Sequence, residues 1–387
     1  MRCLVIGAGI NGILTAHALQ KKSYNVDVID AAATVGTRAT FANGCQLSFS
    51  HTTPMNIAPS FFSHSFAKPI MWHKNQKRWL KDHRQSQNTF EDKFHTLMEH
   101  ANDSKDAFND IFHQYPNVPE GIGHSSGTVF LFSNAKQFEF RKKMFSIQKD
   151  RYKIDSQSYT LEDIPDVDES LSLLNNVSNT IFTPADKTID SIKFTQFIAE
   201  EFQKKGGRIF FNTKALMVEH SYGMVKKIIT DKGAYTNYDA YIYAGGASGV
   251  SILKDFKLNL QPVTGYSITF DVSYSNYCPL VNLIDFTHKV VYSRHENKLR
   301  VAGFFDIAPP KNPNKRIQEL YKVALNTLPF LKRQEVIHTW SEQRVFTHNE
   351  IPQIRKISQN FAINTAHGHL GVTISAGSAK KVSKLFV

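Results

Sequence analysis

The chain has 387 residues, 41% of them hydrophobic and 21% charged, with a formal net charge of +12. That length allows two domains and a large core, and no apolar run is long enough to cross a membrane as a helix. The basic balance suits an anionic cofactor, an acidic substrate or an anionic lipid surface, whereas the scattered basic residues and the lack of a reader motif set nucleic acid aside.

The stretch from Leu4 to Asp30 predicts strand, tight turn, helix and strand. Leu4 to Ile6 is a short apolar run of buried-strand type. Gly7, Gly9 and Gly12 follow at G-x-G-x-x-G spacing, with Ile10 and Asn11 inside the turn. The first glycine permits the turn, the second lets backbone approach a pyrophosphate, and the third lets helix pack on strand. The helix N-terminus offers free N–H groups and a positive dipole end to phosphate. Val26, Val28 and Ile29 form the second strand, and Asp30 and Ala31 follow. A carboxylate at that place accepts ribose hydroxyls and disfavours a 2′-phosphate. A secretory signal is the competing reading of this apolar start. Asn11, His17 and Gln20 interrupt it, and no small-residue cleavage site follows.

The next segment, AAATVGTRATFANGCQLSFSH, is rich in small residues and lets backbone lie close to a ligand. Within it TFANGCQLS resembles the segment after the first βαβ unit of bacterial D-amino acid dehydrogenases, small-subunit type. These are flavoproteins of the D-amino acid oxidase and glycine oxidase superfamily. Phe41, Ala42, Asn43 and Gln46 match the family's S-F-A-N-A-G-Q run, while Gly44 and Cys45 stand for its Ala-Gly pair. The resemblance implies that Arg38, Ala39, Gly44, Cys45 and Gln46 border the ribityl chain and ring of FAD.

Residues 52 to 120 carry helical patterning, with Phe90, Phe94, Leu97 and Met98 at core spacing. Their many histidines, His64 and His73 among them, form no recognised metal constellation. Cys3, Cys45 and Cys278 have neither metal nor disulfide spacing, so no metal is expected and a reducing compartment is. His51 stands apart because it follows the flavin loop. GTVFLF at 127–132 reads as a strand, and Ser191 to Lys205 as a helix stopped by Gly206 and Gly207. The resemblance places backbone of Ala215 at the adenine. It also makes Gly245 and Gly246, in YDAYIYAGGASG, a turn beside the cofactor.

Residues 258 to 307 alternate as a sheet region. PVTGYSITF resembles the family's P-V-K-G-Y-S-I-T, and FTHKVVYSRHENKLRVAGF its T-H-K-V strand and R-V-G-G strand. In that family this sheet roofs the substrate, which makes Tyr266 and His288 pocket candidates. Arg316 to Leu328 is expected to be a helix. TWSEQRVFTHNEIP keeps Trp340, Arg344, Thr347 and Pro352 of the family's W-x-G-L-R-P-x-T-P-D-x-x-P, with Glu342 and Val345 as departures. Arg344 matches the arginine that grips the substrate carboxylate, and Glu342 is a carboxylate that would compete for it. NTAHGHLGVT resembles N-T-G-H-G-T-L-G-W-T; Gly368, His369, Leu370, Gly371, Val372 and Thr373 would face the flavin's pyrimidine side. No cysteine lies in this segment, so the flavin is expected to bind without a covalent link.

The resemblance implies an α/β fold: a Rossmann-type FAD-binding domain and a second, α+β substrate domain on a mainly antiparallel sheet. The FAD-binding domain is expected to comprise residues 1–50, 184–250 and 340–387, and the substrate domain residues 51–183 and 251–339. The implied reaction oxidises the Cα–N bond of a D-amino acid to an imino acid, then 2-oxo acid and ammonia, by hydride transfer to FAD N5. The resemblance implies a quinone-type electron acceptor, and the expected location is the cytoplasm, with peripheral docking on the inner face of the cell membrane as an extension of it. The alternatives are an amine, glycine or sarcosine oxidase using oxygen, and a flavin-binding non-catalytic subunit of a hetero-oligomer. The oligomeric state is not set by the sequence.

Overall fold

The structure, a computed structural model, describes residues 1–55, 74–116, 127–307, 309 and 311–386. His64 and His73 lie outside the described residues. The chain opens with strand β1 (Arg2–Ile6), helix α1 (Ile10–Gln20) and strand β2 (Asn25–Ile29). β1 pairs in parallel with β2 on one side and with Ala240–Tyr243 on the other. The six-stranded sheet runs Gln353–Ser358, Phe361–Thr365, Ala240–Tyr243, β1, β2, Arg208–Phe210. Only its first pair is antiparallel.

Both faces of this sheet are covered, which is why β1 reads as an unbroken apolar run. Cys3 and Val5 pack with Ile13, Leu14 and Ala16 of α1 in one core. Leu4 and Ile6 pack with Tyr241, Tyr243 and Ile363 in another. A three-stranded sheet, Ala215–Ser221, Met224–Thr230 and Gly233–Thr236, adds Val218, Val225 and Ile228 to that second core. Helix Ser191–Lys204 starts on Asp190, whose side chain accepts from the Lys193 N–H, and ends where Gly206 takes φ +86°. In helix Phe90–Gln114 the expected apolar positions Phe94, Leu97 and Met98 are buried. Its last turns contribute Ala107, Phe108 and Ile111 to the core around α1.

The eight-stranded sheet runs Val336–Thr347, Leu260–Asp271, Lys298–Asp306, Val290–His295, Asn282–Asp285, Thr128–Phe132, Asn179–Thr183, Gln157–Tyr159. Neighbours are antiparallel except Asn282–Asp285 with Thr128–Phe132. Val336–Thr347 pairs with Leu260–Asp271 through Thr347, past the expected boundary at residue 340. Alternation fixes the two faces. Tyr266, Ile268, Phe270, Tyr292 and Val301 pack with Leu320 and Ala324 of helix Asn314–Thr327. Val291, Ala302, Trp340, Glu342 and Arg344 face the nucleotide-type sheet and line the cleft between the two layers.

Candidate flavin and substrate site

The glycine turn is shaped by contacts that leave no room for side chains. Gly7 has φ +112°, and a Cβ on it would lie 2.6 Å from the Ala244 carbonyl oxygen. A Cβ on Gly12 would lie 1.8 Å from the carbonyl oxygen of Gly7, so α1 rests directly on the end of β1. Gly9 is the N-cap of α1 with no side-chain cap, and the first turn carries no acid. The positive end of the helix therefore faces the crevice without a counter-charge of its own. Asn11 donates from Nδ2 to the Gly371 carbonyl at 3.3 Å, while its buried Oδ1 has no partner. Asp30 accepts from the Ala8 N–H at 2.5 Å and the Ala32 N–H at 2.7 Å, and each oxygen keeps a lone pair for a hydroxyl.

Backbone bonds bring other expected residues to the same crevice. The Asp30 N–H donates to Phe210 O and Thr213 N–H to Asp30 O, which carries the chain alongside Asp30 toward Ala215. Gly245 lies against Gly7, and Tyr243 donates from its hydroxyl to the Gly246 carbonyl at 2.6 Å. Ala31 and Gly246 are exposed. The crevice opens at the carboxyl ends of parallel strands, where such sheets bind ligands. A helix start with no acid in its first turn, an orphaned Asn11 oxygen and a wall without Cβ atoms fit the diphosphate and ribose of FAD.

A cavity of about 200 Å³ continues from this crevice to the eight-stranded sheet. Ile10, Asn11, Ala39, Gly44, Cys45, Gln46 and His51 line one side, with Gly368, His369, Leu370, Gly371, Val372 and Thr373. Arg38 sits at the rim, with its side chain 65% exposed. Asn43 ties the loop: its Nδ2 donates to Ala39 O at 3.3 Å and its Oδ1 accepts from Cys45 N–H at 2.8 Å. Cys45 has φ +52°, a left-handed backbone conformation that favours glycine. Its buried thiol is raised by desolvation, but His295 and Arg300 outweigh that and bring it down to about 6. The Arg300 guanidinium donates to its sulfur at 3.0 Å. The ring of His51 meets that of His369 edge-on at 5.7 Å. Burial first, then nearby cations, push His51 well below its usual value and His369 down to about 3, so both are neutral imidazoles at neutral pH.

Arg344 points into this cavity from the eight-stranded sheet. Its guanidinium lies 4.8 Å from the centroid of the Phe305 ring. Gly265, on the adjacent strand, makes the space: a Cβ there would lie 1.8 Å from Nη2. Burial lowers the Arg344 pKa to about 10, which leaves it cationic at neutral pH. Glu342 does not compete for it. Its Oε2 lies 3.7 Å from Nη1 of Arg38, and its Oε1 accepts from the Gln343 N–H. Among the described residues Arg344 makes no ion pair with a carboxylate.

Two expected pocket residues lie elsewhere. Tyr266 is one position out of phase with Gly265 and faces the opposite core, where its hydroxyl donates to Asp306 at 2.9 Å. His288 is exposed on the turn after Asn282–Asp285, and its Nδ1 lies 2.7 Å from Asp285 Oδ2, which raises its pKa. The same turn instead sends Phe286 and Lys289 to the cavity wall. Lys289 sits 3.5 Å from the centroid of the Phe286 ring, and burial lowers its pKa to about 7. The motif matches do not single out Lys289, Phe305 or Gly265; Lys289 is adjacent to His288 in the T-H-K-V match, and only the turn geometry selects between them.

Among the described residues no helix is long and apolar enough to cross a membrane, and no metal-binding cluster is present. Curated relatives include the D-amino acid dehydrogenase of Neisseria gonorrhoeae, 28% identical over 98% of this chain and 94% of the relative. The D-amino acid dehydrogenase of Vibrio vulnificus is 26% identical over 100% of this chain and 95% of its own. The crystal structure of glycine oxidase from Geobacillus kaustophilus superposes with a TM-score of 0.77 at 14% identity, covering 100% of this chain and 94% of that one. The profile of the DAO group, described as FAD dependent oxidoreductase, matches residues 2–385. With a glycine crevice shaped for a dinucleotide at one end of the cavity and a buried guanidinium at the other, this chain belongs to the DAO family of FAD-dependent oxidoreductases.

Proposed function

We propose that the protein oxidises the Cα–N bond of a D-amino acid to an imino acid, which water converts to a 2-oxo acid and ammonia. The observation that carries this is Arg344, a buried guanidinium facing the cavity opposite the turn at 368–373. A planar, permanently charged fork is suited to a carboxylate held bidentately. Bound FAD supplies the two-electron acceptor for the Cα–H bond. The chain's own residues bind, orient and exclude water. Arg344 fixes the carboxylate, Phe305 holds the guanidinium plane, and Gly265 leaves the room it needs. The neutral rings of His51 and His369 can accept a hydrogen bond from the substrate amine, and the cations that bear on them, Arg344 and Lys289 at His369, disfavour a charged ammonium beside them. The names of the curated relatives support the same substrate class.

In this reading residues 1–50, 184–250 and 340–387 form the FAD-binding domain and residues 51–183 and 251–339 the substrate domain. Support comes from the six-stranded sheet, drawn wholly from the first set. The eight-stranded sheet comes from the second set apart from the end of Val336–Thr347 that carries Arg344. Electrons leave to a quinone-type acceptor, with the basic chain resting on the cytoplasmic face of an anionic membrane.

The test is anaerobic. FAD-loaded protein is mixed with a panel of D-amino acids, with L-isomers and glycine as controls, and the oxidised flavin band is followed. Bleaching by D-isomers, lost in Arg344→Ala, is expected. A loaded protein that no D-amino acid bleaches would overturn the reading. Reoxidation by a soluble quinone without peroxide is expected, and peroxide formation in air would assign an oxidase instead.

A further inference from the structure

The cavity holds more positive charge than an amino-acid carboxylate needs. Arg344 enters from strand Val336–Thr347, and Lys289 from the turn just before Val290–His295. Those strands are three places apart in the sheet, about 14 Å at the backbone. Both are long side chains, and both bear electrostatically on the ring of His369. Behind Phe286, which flanks Lys289, lies a third cation. Arg141 is fully buried, with its guanidinium 4.4 Å from the Phe145 centroid and 5.8 Å from that of Phe286. Nη2 donates to the Ser50 carbonyl at 2.5 Å, but Nε and Nη1 have no partner.

The carboxylates on the cavity wall are already engaged from outside. Asp285 is bonded to His288, though its charge also reaches Lys289, and Glu342 lies beside Arg38. Asp186, the acid that bears on Arg141, spends its oxygens on Ser48, Ser50 and Thr183. Arg141 does not line the cavity; across Phe286 its charge adds to that of Lys289, and an anion held at Lys289 offsets both. The two histidines are neutral and add no charge.

We infer that this site is built for a D-amino acid with an acidic side chain: Arg344 takes the α-carboxylate, and Lys289, with Arg141 behind it, takes the side-chain carboxylate. This rests on the reading of the protein as a D-amino acid oxidoreductase. D-glutamate and D-glutamine have the same shape and differ in charge, so their comparison isolates the inference. Reductive half-reactions of the FAD-loaded enzyme should give D-glutamate a kcat/KM about tenfold or more above D-glutamine. Lys289→Met should lower that ratio about thirtyfold, and Lys289→Arg should restore part of it. Glutarate should perturb the oxidised flavin spectrum of the wild type at lower concentration than butyrate, and Lys289→Met should abolish the difference.

Bleaching by neutral D-amino acids but not by D-glutamate would overturn the inference and leave the proposed function standing. Equal losses on both substrates in Lys289→Met would also overturn it. A wild type that no D-amino acid reduces would be a failure of the proposed function itself. If Lys289→Met does not fold, the glutarate and glutamate–glutamine comparisons on the wild type decide alone.

Discussion

At the residue scale, the guanidinium of Arg344 and the missing side chain of Gly265 form one unit. Gly265 lacks a left-handed φ, so alanine suits its strand backbone, but the methyl would lie 1.8 Å from Nη2. Gly265→Ala should leave the fold and the FAD content intact while moving the guanidinium. A shift of that size at a positioning group can reduce kcat/KM about 100-fold. Steady-state kinetics beside flavin absorbance would check it: unchanged KM would mean the fork adapts, and lost flavin would mean the effect is not local. The same strand shows what a sequence match leaves open. PVTGYSITF locates the strand, yet side-chain period decides which residues see the cavity, and Tyr266 falls on the other face from Gly265. Lys289 and His288 pose the same choice on a turn, where no periodicity operates. Arg141 gave no local signal at all; within KQFEFRKKM it is one cation among several, and only the packing of three phenylalanine rings distinguishes it.

At the scale of elements, the first βαβ unit was legible because local and tertiary demands coincide there. The strand is apolar since both faces are covered, and the glycines sit where helix, strand and the Ala244–Gly245 turn converge. Gly12→Ala tests this convergence. Its Cβ would meet the Gly7 carbonyl at 1.8 Å, so α1 must lift from β1 or the turn must open. Either change removes the close backbone approach that a pyrophosphate needs. The expected result is a protein that purifies without the yellow of bound flavin and melts at lower temperature. Full flavin content would show that the crevice yields without loss. The eight-stranded sheet was legible only in part. Its alternating strands between residues 258 and 307 were clear, but Thr128–Phe132, Asn179–Thr183 and Gln157–Tyr159 join it from far away in sequence. Such pairings are set by which edges remain open when the core forms, and no local pattern records that. The resemblance of motifs supplied the order of segments, and the register of Val336–Thr347 came from the structure.

At the scale of the whole molecule, buried histidines tie stability to pH. His17, His83 and His367 are each buried, and burial is the leading cause that lowers them, to about 4, 4 and 3. They stand on α1, on helix Lys74–Ser86 and beside the turn at 368–370, so the effect is spread across the fold. A folded-state value below the unfolded value of about 6.5 means that the unfolded chain binds more protons in the interval between them. Stability is then full above that unfolded value and is lost as pH falls toward 4, with each group contributing up to about 1.4 kcal/mol per pH unit. The melting temperature should therefore be nearly level from pH 8 to 7 and fall steeply from pH 6.5 to 4.5, above the range in which ordinary carboxylates titrate. His17→Gln keeps a polar partner for the Tyr115 hydroxyl, which lies 3.2 Å from Nε2, and removes one titrating group. Its melting curve should be flatter over the same interval, whatever its absolute stability at neutral pH. Parallel pH profiles for the variant and the wild type would mean that His17 reaches water before the fold is lost, and the acid sensitivity would then belong to the other buried histidines.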